Sequence, residues 1–168
     1  FGEWIKASAT GYYTLYRNAL TVQNFTFEGQ DSIMYAGQMS KVVATTNANK
    51  AYLYGLELAL NGKINNNVSL YATYNYTHAR IVTDSTAIPL DHIPPAFGKF
   101  GFQIIDNKFR ADLFVNYAAW KRIADYNPSG EDNQAYALPE GMPSWYTINA
   151  RVSYQFNKHL GLQVACEN

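Results

Sequence analysis

The chain has 168 residues, about the length of one domain, and its 13 basic and 13 acidic side chains leave no formal net charge. A neutral chain has no general attraction for polyanions, so we expect no nucleic acid partner. Charged residues make up 15% of the chain and aromatic residues another 15%, which predicts a surface poor in charge and rich in tyrosine. Cys166 is the one cysteine, which excludes an internal disulfide and a cysteine-based zinc site.

The main pattern in the sequence is the alternation of apolar and polar residues that is typical of β-strands. It is unbroken from Tyr146 to Phe156, and residues 109–119 and 68–77 repeat it. Weaker versions bring the number of predicted strands to about seven, with no helix. In chain order they are residues 3–17, 50–63, 68–77, 96–105, 109–119, 146–156 and 159–167.

These predicted strands are long enough to cross a membrane. A strand of about eleven residues, tilted by about 40°, covers roughly 25 Å, the height of the apolar band of an outer-membrane barrel. Aromatic residues stand at both ends of such strands, as in the pairs Tyr146 and Phe156 or Phe109 and Tyr117. Rings at both ends match the two membrane interfaces. The sequence therefore predicts an all-β, antiparallel transmembrane barrel rather than a soluble sandwich.

Short and long connections alternate along the chain. Three short polar turns are predicted, at residues 65–67, 106–108 and 157–159. Three long loops are predicted at residues 18–48, 79–95 and 121–144, and all six prolines fall in them. In transmembrane barrels the short turns are periplasmic and the long loops are outside, so we expect the same topology.

The alternation assigns side chains to two environments. The apolar set, Leu113, Val115, Ile148, Ala150 and Val152, is expected to face lipid. The opposite set is expected to face the lumen, where opposite charges can neighbour each other: Glu57, Arg110, Asp112, Asn149 and Arg151. The third long loop is rich in aromatic and polar residues suited to capturing a ligand, although such residues also pack loops together: Trp120, Arg122, Tyr126, Tyr136 and Trp145.

Other candidate sites have simpler interpretations. Residues 125–130 match the first half of a calcium-loop template, but position 12 is Tyr136, where a bidentate glutamate is needed. His78 and His92 flank one loop and could share a metal or haem, but imidazoles are also common interfacial side chains, which is the simpler interpretation. The sequence has no nucleophile motif. We therefore predict no metal, no cofactor and no catalytic residue, and a protein that is not an enzyme.

Four segments follow one another in a recognisable order: residues 49–58, with Asn49, Ala51, Gly55 and Glu57, the hairpin at 65–77, the Ile-Pro-Pro at 93–95, and residues 164–168. In these segments the sequence resembles the C-terminal part of the barrel of TonB-dependent outer-membrane receptors. The resemblance implies about seven of roughly 22 barrel strands, with the plug and the remaining strands absent. The chain opens on Phe1 without a leader and closes within an apolar-periodic segment, so we expect a piece of a longer protein.

The resemblance also implies a function and partners. These are uptake of a scarce solute such as an iron-siderophore, haem, cobalamin or a glycan, contact with outer-membrane lipid, and coupling to the TonB complex through the absent N-terminal region. Two other interpretations stay open. One is a small passive outer-membrane barrel of about eight strands, and the other is a soluble lipocalin-like barrel with an apolar ligand inside.

Overall fold

The computed structural model describes residues 4–82, 86–127 and 134–168. Two short 3-10 helices, Ile123–Asp125 and Gln134–Tyr136, interrupt an otherwise extended chain. In chain order the strands are β1 (Ile5–Asn24), β2 (Ser32–Tyr35), β3 (Gln38–Lys41), β4 (Val43–Lys63), β5 (Val68–Val82), β6 (Ala87–Pro89), β7 (Phe97–Asp106), β8 (Phe109–Ala118), β9 (Lys121–Arg122), β10 (Gly141–Met142), β11 (Trp145–Asn157) and β12 (Leu160–Cys166).

Seven long strands form one antiparallel sheet in the order β1-β4-β5-β7-β8-β11-β12. Consecutive long strands are therefore neighbours in space, which is an up-and-down meander with β1 and β12 at its edges. The prediction of about seven long antiparallel strands is confirmed. Its three tight hairpins are also present, because β4 and β5, β7 and β8, and β11 and β12 are each joined by two to four residues.

The sheet has two chemically different faces, because direct partners in an antiparallel pair lie on the same side. On one side Arg151 pairs with Asp112, and Asp112 pairs with Gln103. We call this side the polar face. On the other side Ile148 pairs with Val115, and this apolar face is aliphatic and aromatic over most of its length. The described apolar face is largely uncovered, with Ile148 61% exposed. Such a surface needs lipid or another apolar partner to cover it.

The first long loop is shorter than predicted. β1 continues to Asn24 and β4 begins at Val43, so the two strands stay paired well beyond the apolar band. The residues between the two strands, 25–42, include the hairpin of β2 and β3, whose turn has positive φ at Ala36 and Gly37. Mixed polar and apolar residues in these extensions hide the period-two pattern, while backbone hydrogen bonds still hold the ribbon together.

The second long loop also contains regular structure, because β5 continues to Val82 and pairs with β6. The prediction that every proline lies in a loop is wrong for Pro89, the last residue of β6. β6 is an edge strand, where the missing N–H of proline costs no bond within the sheet. Side chains of β6 and the residue after it pack on the long-loop end of β4 and β5. There Ile88 and Leu90 cover Ala51 and Ile81.

Tyrosine rings lie over glycines on neighbouring strands and tie three strands together. The Tyr12 ring on β1 covers its direct partner Gly55 on β4, and its hydroxyl lies 2.5 Å from the Thr77 hydroxyl on β5. A side chain at position 55 would collide with the Tyr12 ring. Aromatic rings over glycine restore the packing that a glycine removes from a strand.

Among the described residues, no helix combines the length and the apolar character needed to cross a membrane.

Candidate functional site

A cavity of about 660 Å³ lies on the polar face at the end of the sheet that carries the long loops. Its floor is formed by polar-face residues of β5, β7 and β8, including Asn75, Lys99 and Asn116. Its rim comes from the loops on either side. The rim residues are Pro94, Pro95, Ala119, Lys121, Tyr126, Met142, Pro143 and Trp145.

Tyr126 is brought to the cavity by the 3-10 helix Ile123–Asp125. The helix closes with a hydrogen bond from the backbone N–H of Tyr126 to the carbonyl of Ile123, at 3.2 Å. Lys121 places its Nζ 4.5 Å from the centre of the Tyr126 ring, a cation–π contact. The ring is 7% exposed. Tyr126 therefore forms part of a fixed wall.

Two polar contacts hold this loop against the neighbouring one. Arg80 on β5 lies 3.6 Å from the carboxylate of Asp125. The side-chain amide of Asn127 donates to Asp91 at 3.4 Å, and Asn127 is fully buried. The first contact joins the segment after β8 to β5, and the second joins it to the segment after β6, so the two sides of the cavity rim are connected.

Trp145 reaches the cavity from the opposite side. It is the first residue of β11, pairs with Ala118 of β8, and is half exposed. Indole rings provide large contact area and one hydrogen-bond donor. Tyr126 and Trp145 are thus the two predicted loop residues that the structure brings to the same cavity.

The other three predicted loop residues lie elsewhere. The Trp120 indole donates a hydrogen bond to the Glu140 carbonyl at 3.2 Å and lines a smaller cavity of about 210 Å³. Arg122 lies on β9, where it pairs with Gly141 of β10. Tyr136 is 86% exposed on the second 3-10 helix. None of the three lines the larger cavity.

Next to the cavity, towards the short-turn end of the sheet, the polar face carries a connected group of charged and aromatic side chains. The Tyr71 hydroxyl donates to Asp112 at 2.7 Å. The Phe114 ring has two cations near it, with Lys99 Nζ at 3.6 Å and the Arg151 guanidinium at 5.1 Å from the ring centre. Sequence reasoning missed Lys99, Tyr71 and Phe114 as parts of this group. All three residues occupy polar-face positions in the alternation of their strands, and this was the signal available in the sequence. Only the register shows that the three strands bring them together.

The residues predicted to face a lumen all lie on the polar face. Arg110, Asp112 and Arg151 do so through the pairing of β8 with β11. Asn149 is 2% exposed, and its Oδ1 accepts the backbone N–H of Asn168 at 3.0 Å. Glu57 pairs with Thr10 and Asn75. Facing a lumen stays a prediction for all five residues, because the described sheet is open.

The family model of the TonB-dependent receptor-like β-barrel matches residues 1–168, the whole chain. The chain belongs to this family. TonB-dependent receptor barrels are bacterial outer-membrane proteins, and that is where this chain is located. Among solved structures, the copper transporter OprC matches over 100% of this chain with a TM-score of 0.71 at 18% identity. The chain spans 23% of the length of OprC. No curated protein gives a significant match.

In this receptor barrel, the weaker candidate sites have ordinary surroundings. The His78 ring lies on the apolar face, 5.0 Å from the Tyr54 ring, which is an interfacial packing position. The calcium-like segment falls partly outside the described residues, and Asp125 within it pairs with Arg80. In the described ranges, no three His, Cys, Asp or Glu side chains group as a metal site would require.

Proposed function

We propose that this chain forms part of an outer-membrane receptor that takes up a scarce solute by TonB-coupled transport. Family membership supports transport rather than catalysis. The proposal includes further barrel strands that pair with the free edges of β1 and β12, and an N-terminal region that contacts the TonB complex. Closing the sheet in this way would turn the polar face into the lumen wall.

The cavity beside Tyr126 and Trp145 is the observation that carries the proposal. It lies at the loop-bearing end of the polar face, where a solute arriving from outside would first meet the barrel. Aromatic and proline side chains form its walls, and Lys99 and Lys121 are its charged groups. The described residues that line it include no carboxylate. Such a surface suits a solute with a flat or apolar body and acidic groups.

This chemistry favours an acidic metal chelate, such as an iron-siderophore or haem, over a neutral glycan or cobalamin. A copper complex also belongs among the candidates, because OprC is described as a copper transporter. The loops and the cavity would capture the solute, and TonB-driven movement of the N-terminal region would release it inward.

The test is solute binding and uptake by the full-length receptor. Iron-siderophore, haem, cobalamin, glycan and copper are offered as labelled probes to cells with and without TonB. Uptake of one probe should require TonB, and Trp145→Ala or Tyr126→Ala should weaken its binding about tenfold, as expected for an aromatic contact that the bound solute covers. Tyr136→Ala is the matched control, since this tyrosine lies outside the cavity. Uptake that continues without TonB, or equal effects of all three variants, would refute the proposal.

A further inference from the structure

The sheet has a gap beside β5, on the side that faces β6 and β7. β5 pairs with β7 only as far as Asn75, which lies opposite Phe97, and it pairs with β6 only from Arg80 onward. Residues 76–79 between these two pairings have β4 on one side. On the other side no strand of the described part of the chain pairs with them. The ladder of strands is therefore interrupted at the long-loop end of the sheet.

A proline lies where the ladder stops. Continuing the register of β5 with β7 by two residues places Pro95 opposite Thr77. The Ala96 carbonyl accepts the N–H of Ala119 at 2.7 Å, so residue 96 directs its backbone groups towards β8. Backbone groups alternate sides along an extended chain, so residue 95 directs its own towards β5. Proline has no N–H to donate there, and the regular pairing ends.

The backbone N–H and C=O of Thr77 face this gap. The carbonyl of Ala79, two residues along β5, accepts the N–H of Leu90 at 3.4 Å, so these alternate residues of β5 point away from β4. Among the described residues, the Thr77 backbone has no hydrogen-bond partner on that side. Strand backbone groups are otherwise almost always paired. The Thr77 side chain is held on the polar face by Tyr12, with the two hydroxyls 2.5 Å apart.

The gap opens into the smaller cavity, of about 210 Å³, which residues 76–80 of β5 line along one side. This cavity adjoins the larger one, because the same four residues line both: Pro94, Pro95, Ala119 and Lys121. A ligand in the larger cavity can therefore extend a group towards Thr77.

The lining of the smaller cavity suits a neutral polar group. Leu90, Ile93 and Trp120 provide apolar surface. The carboxylate of Asp125 is paired with Arg80 at 3.6 Å, and both residues belong to the lining. A peptide group fits these surroundings, because it is uncharged and carries both a donor and an acceptor.

We propose that the smaller cavity is a subsite for one aminoacyl residue of the solute, whose N–H and C=O pair with the C=O and N–H of Thr77. Two such bonds between one residue on each side form the closely spaced pair of an antiparallel ladder. Extended peptides are commonly recognised by this addition to a free strand position. Sites for whole ligands measure roughly 300–1,000 Å³, so the smaller cavity holds only an arm of the solute. The proposal rests on the proposed function and narrows its solute to an acidic chelate with a peptide-like arm.

The experiment measures hydrogen exchange of the Thr77 N–H in the full-length receptor in nanodiscs, by mass spectrometry with single-residue fragmentation. One probe is N-acetylalanine methylamide, a single aminoacyl residue with a peptide group on each side. The other is the same molecule methylated at the alanine nitrogen, which removes the N–H that would donate to Thr77. Both probes are titrated into the wild type, Pro95→Ala and Pro94→Ala. Pro95→Ala supplies an N–H opposite Thr77, and Pro94→Ala is the matched control, because residue 94 directs its backbone away from β5.

In the wild type and in Pro94→Ala, the first probe at ten times its dissociation constant should slow exchange of the Thr77 N–H about tenfold. The methylated probe should leave the exchange rate unchanged. In Pro95→Ala the first probe should lose its effect, because the chain's own N–H then pairs with the Thr77 carbonyl.

An unchanged exchange rate in the wild type, or equal slowing by the methylated probe, would overturn the proposal. Slowing that persists in Pro95→Ala would overturn it as well. The comparison of the two probes on the wild type does not depend on how the variants fold. Neither probe needs to be transported, so TonB-independent uptake would refute the proposed function and leave the exchange result standing.

Discussion

The Tyr71 hydroxyl on β5 donates a hydrogen bond to Asp112 on β8 at 2.7 Å, across the intervening strand β7. The bond is possible because Gly101, the direct β7 partner of Tyr71, has no side chain. A Cβ at position 101 would lie 2.6 Å from the Leu113 carbonyl and 2.8 Å from the Tyr71 ring. One glycine thus allows an aromatic ring to connect three strands on the polar face.

Gly101→Ala should destabilise the barrel by about 1–3 kcal/mol, the usual cost of forcing extra atoms into a packed site. The measurement is the urea midpoint of the full-length receptor in lipid vesicles. Gly11→Ala is the control, because an added Cβ there meets no atom within 4 Å. Equal midpoints for the two variants would show that the ring does not need the glycine.

Spin labels should separate the two faces of β8 and β11. In membranes, labels at Leu113, Ile148 or Val152 should be reached by lipid-soluble oxygen, because the apolar face is expected to contact lipid. Labels at Asp112 or Arg151 should respond instead to a polar quencher. The reverse pattern would reject the transmembrane barrel and support a soluble barrel with an apolar interior.

Tag accessibility should establish which rim is outside. A tag inserted after Gly37, at the turn between β2 and β3, should be stained on intact cells, since this hairpin lies beyond the long paired ends of β1 and β4. A tag at Asn66, in the short turn between β4 and β5, should require permeabilised cells. Staining of Asn66 alone on intact cells would invert the proposed topology.

Residues 1–168 expressed alone in plain buffer should aggregate. In the described sheet, the outer edges of β1 and β12 have no strand partner, and apolar-face residues such as Val164 are well exposed. Unpaired edges and uncovered apolar surface associate with other copies. Light scattering and sedimentation are the measurements, with a detergent-solubilised sample as the control. A monodisperse monomer that unfolds cooperatively would contradict this prediction.

The sequence by itself determined the strands of the apolar band and their faces. Alternation is strongest there, because lipid and water lie on opposite sides of each strand and every second residue must be apolar. That is why the run from Tyr146 to Phe156 predicted β11 to within about one residue. The tight turn after Asp106 was equally clear, because Asn107 tolerates the positive φ that a two-residue turn needs.

Only the tertiary structure decided what lies above that band and which side chains meet. The extensions of β1 and β4 lack clear alternation, so their pairing up to Asn24 and Val43 follows from backbone hydrogen bonds that no residue pattern specifies. The register between strands decides that Tyr126 and Trp145 line one cavity. It also decides that Arg17 lies directly opposite Lys50. Register is a property of pairs of strands, and a single strand's sequence gives its faces but not its partner's alignment.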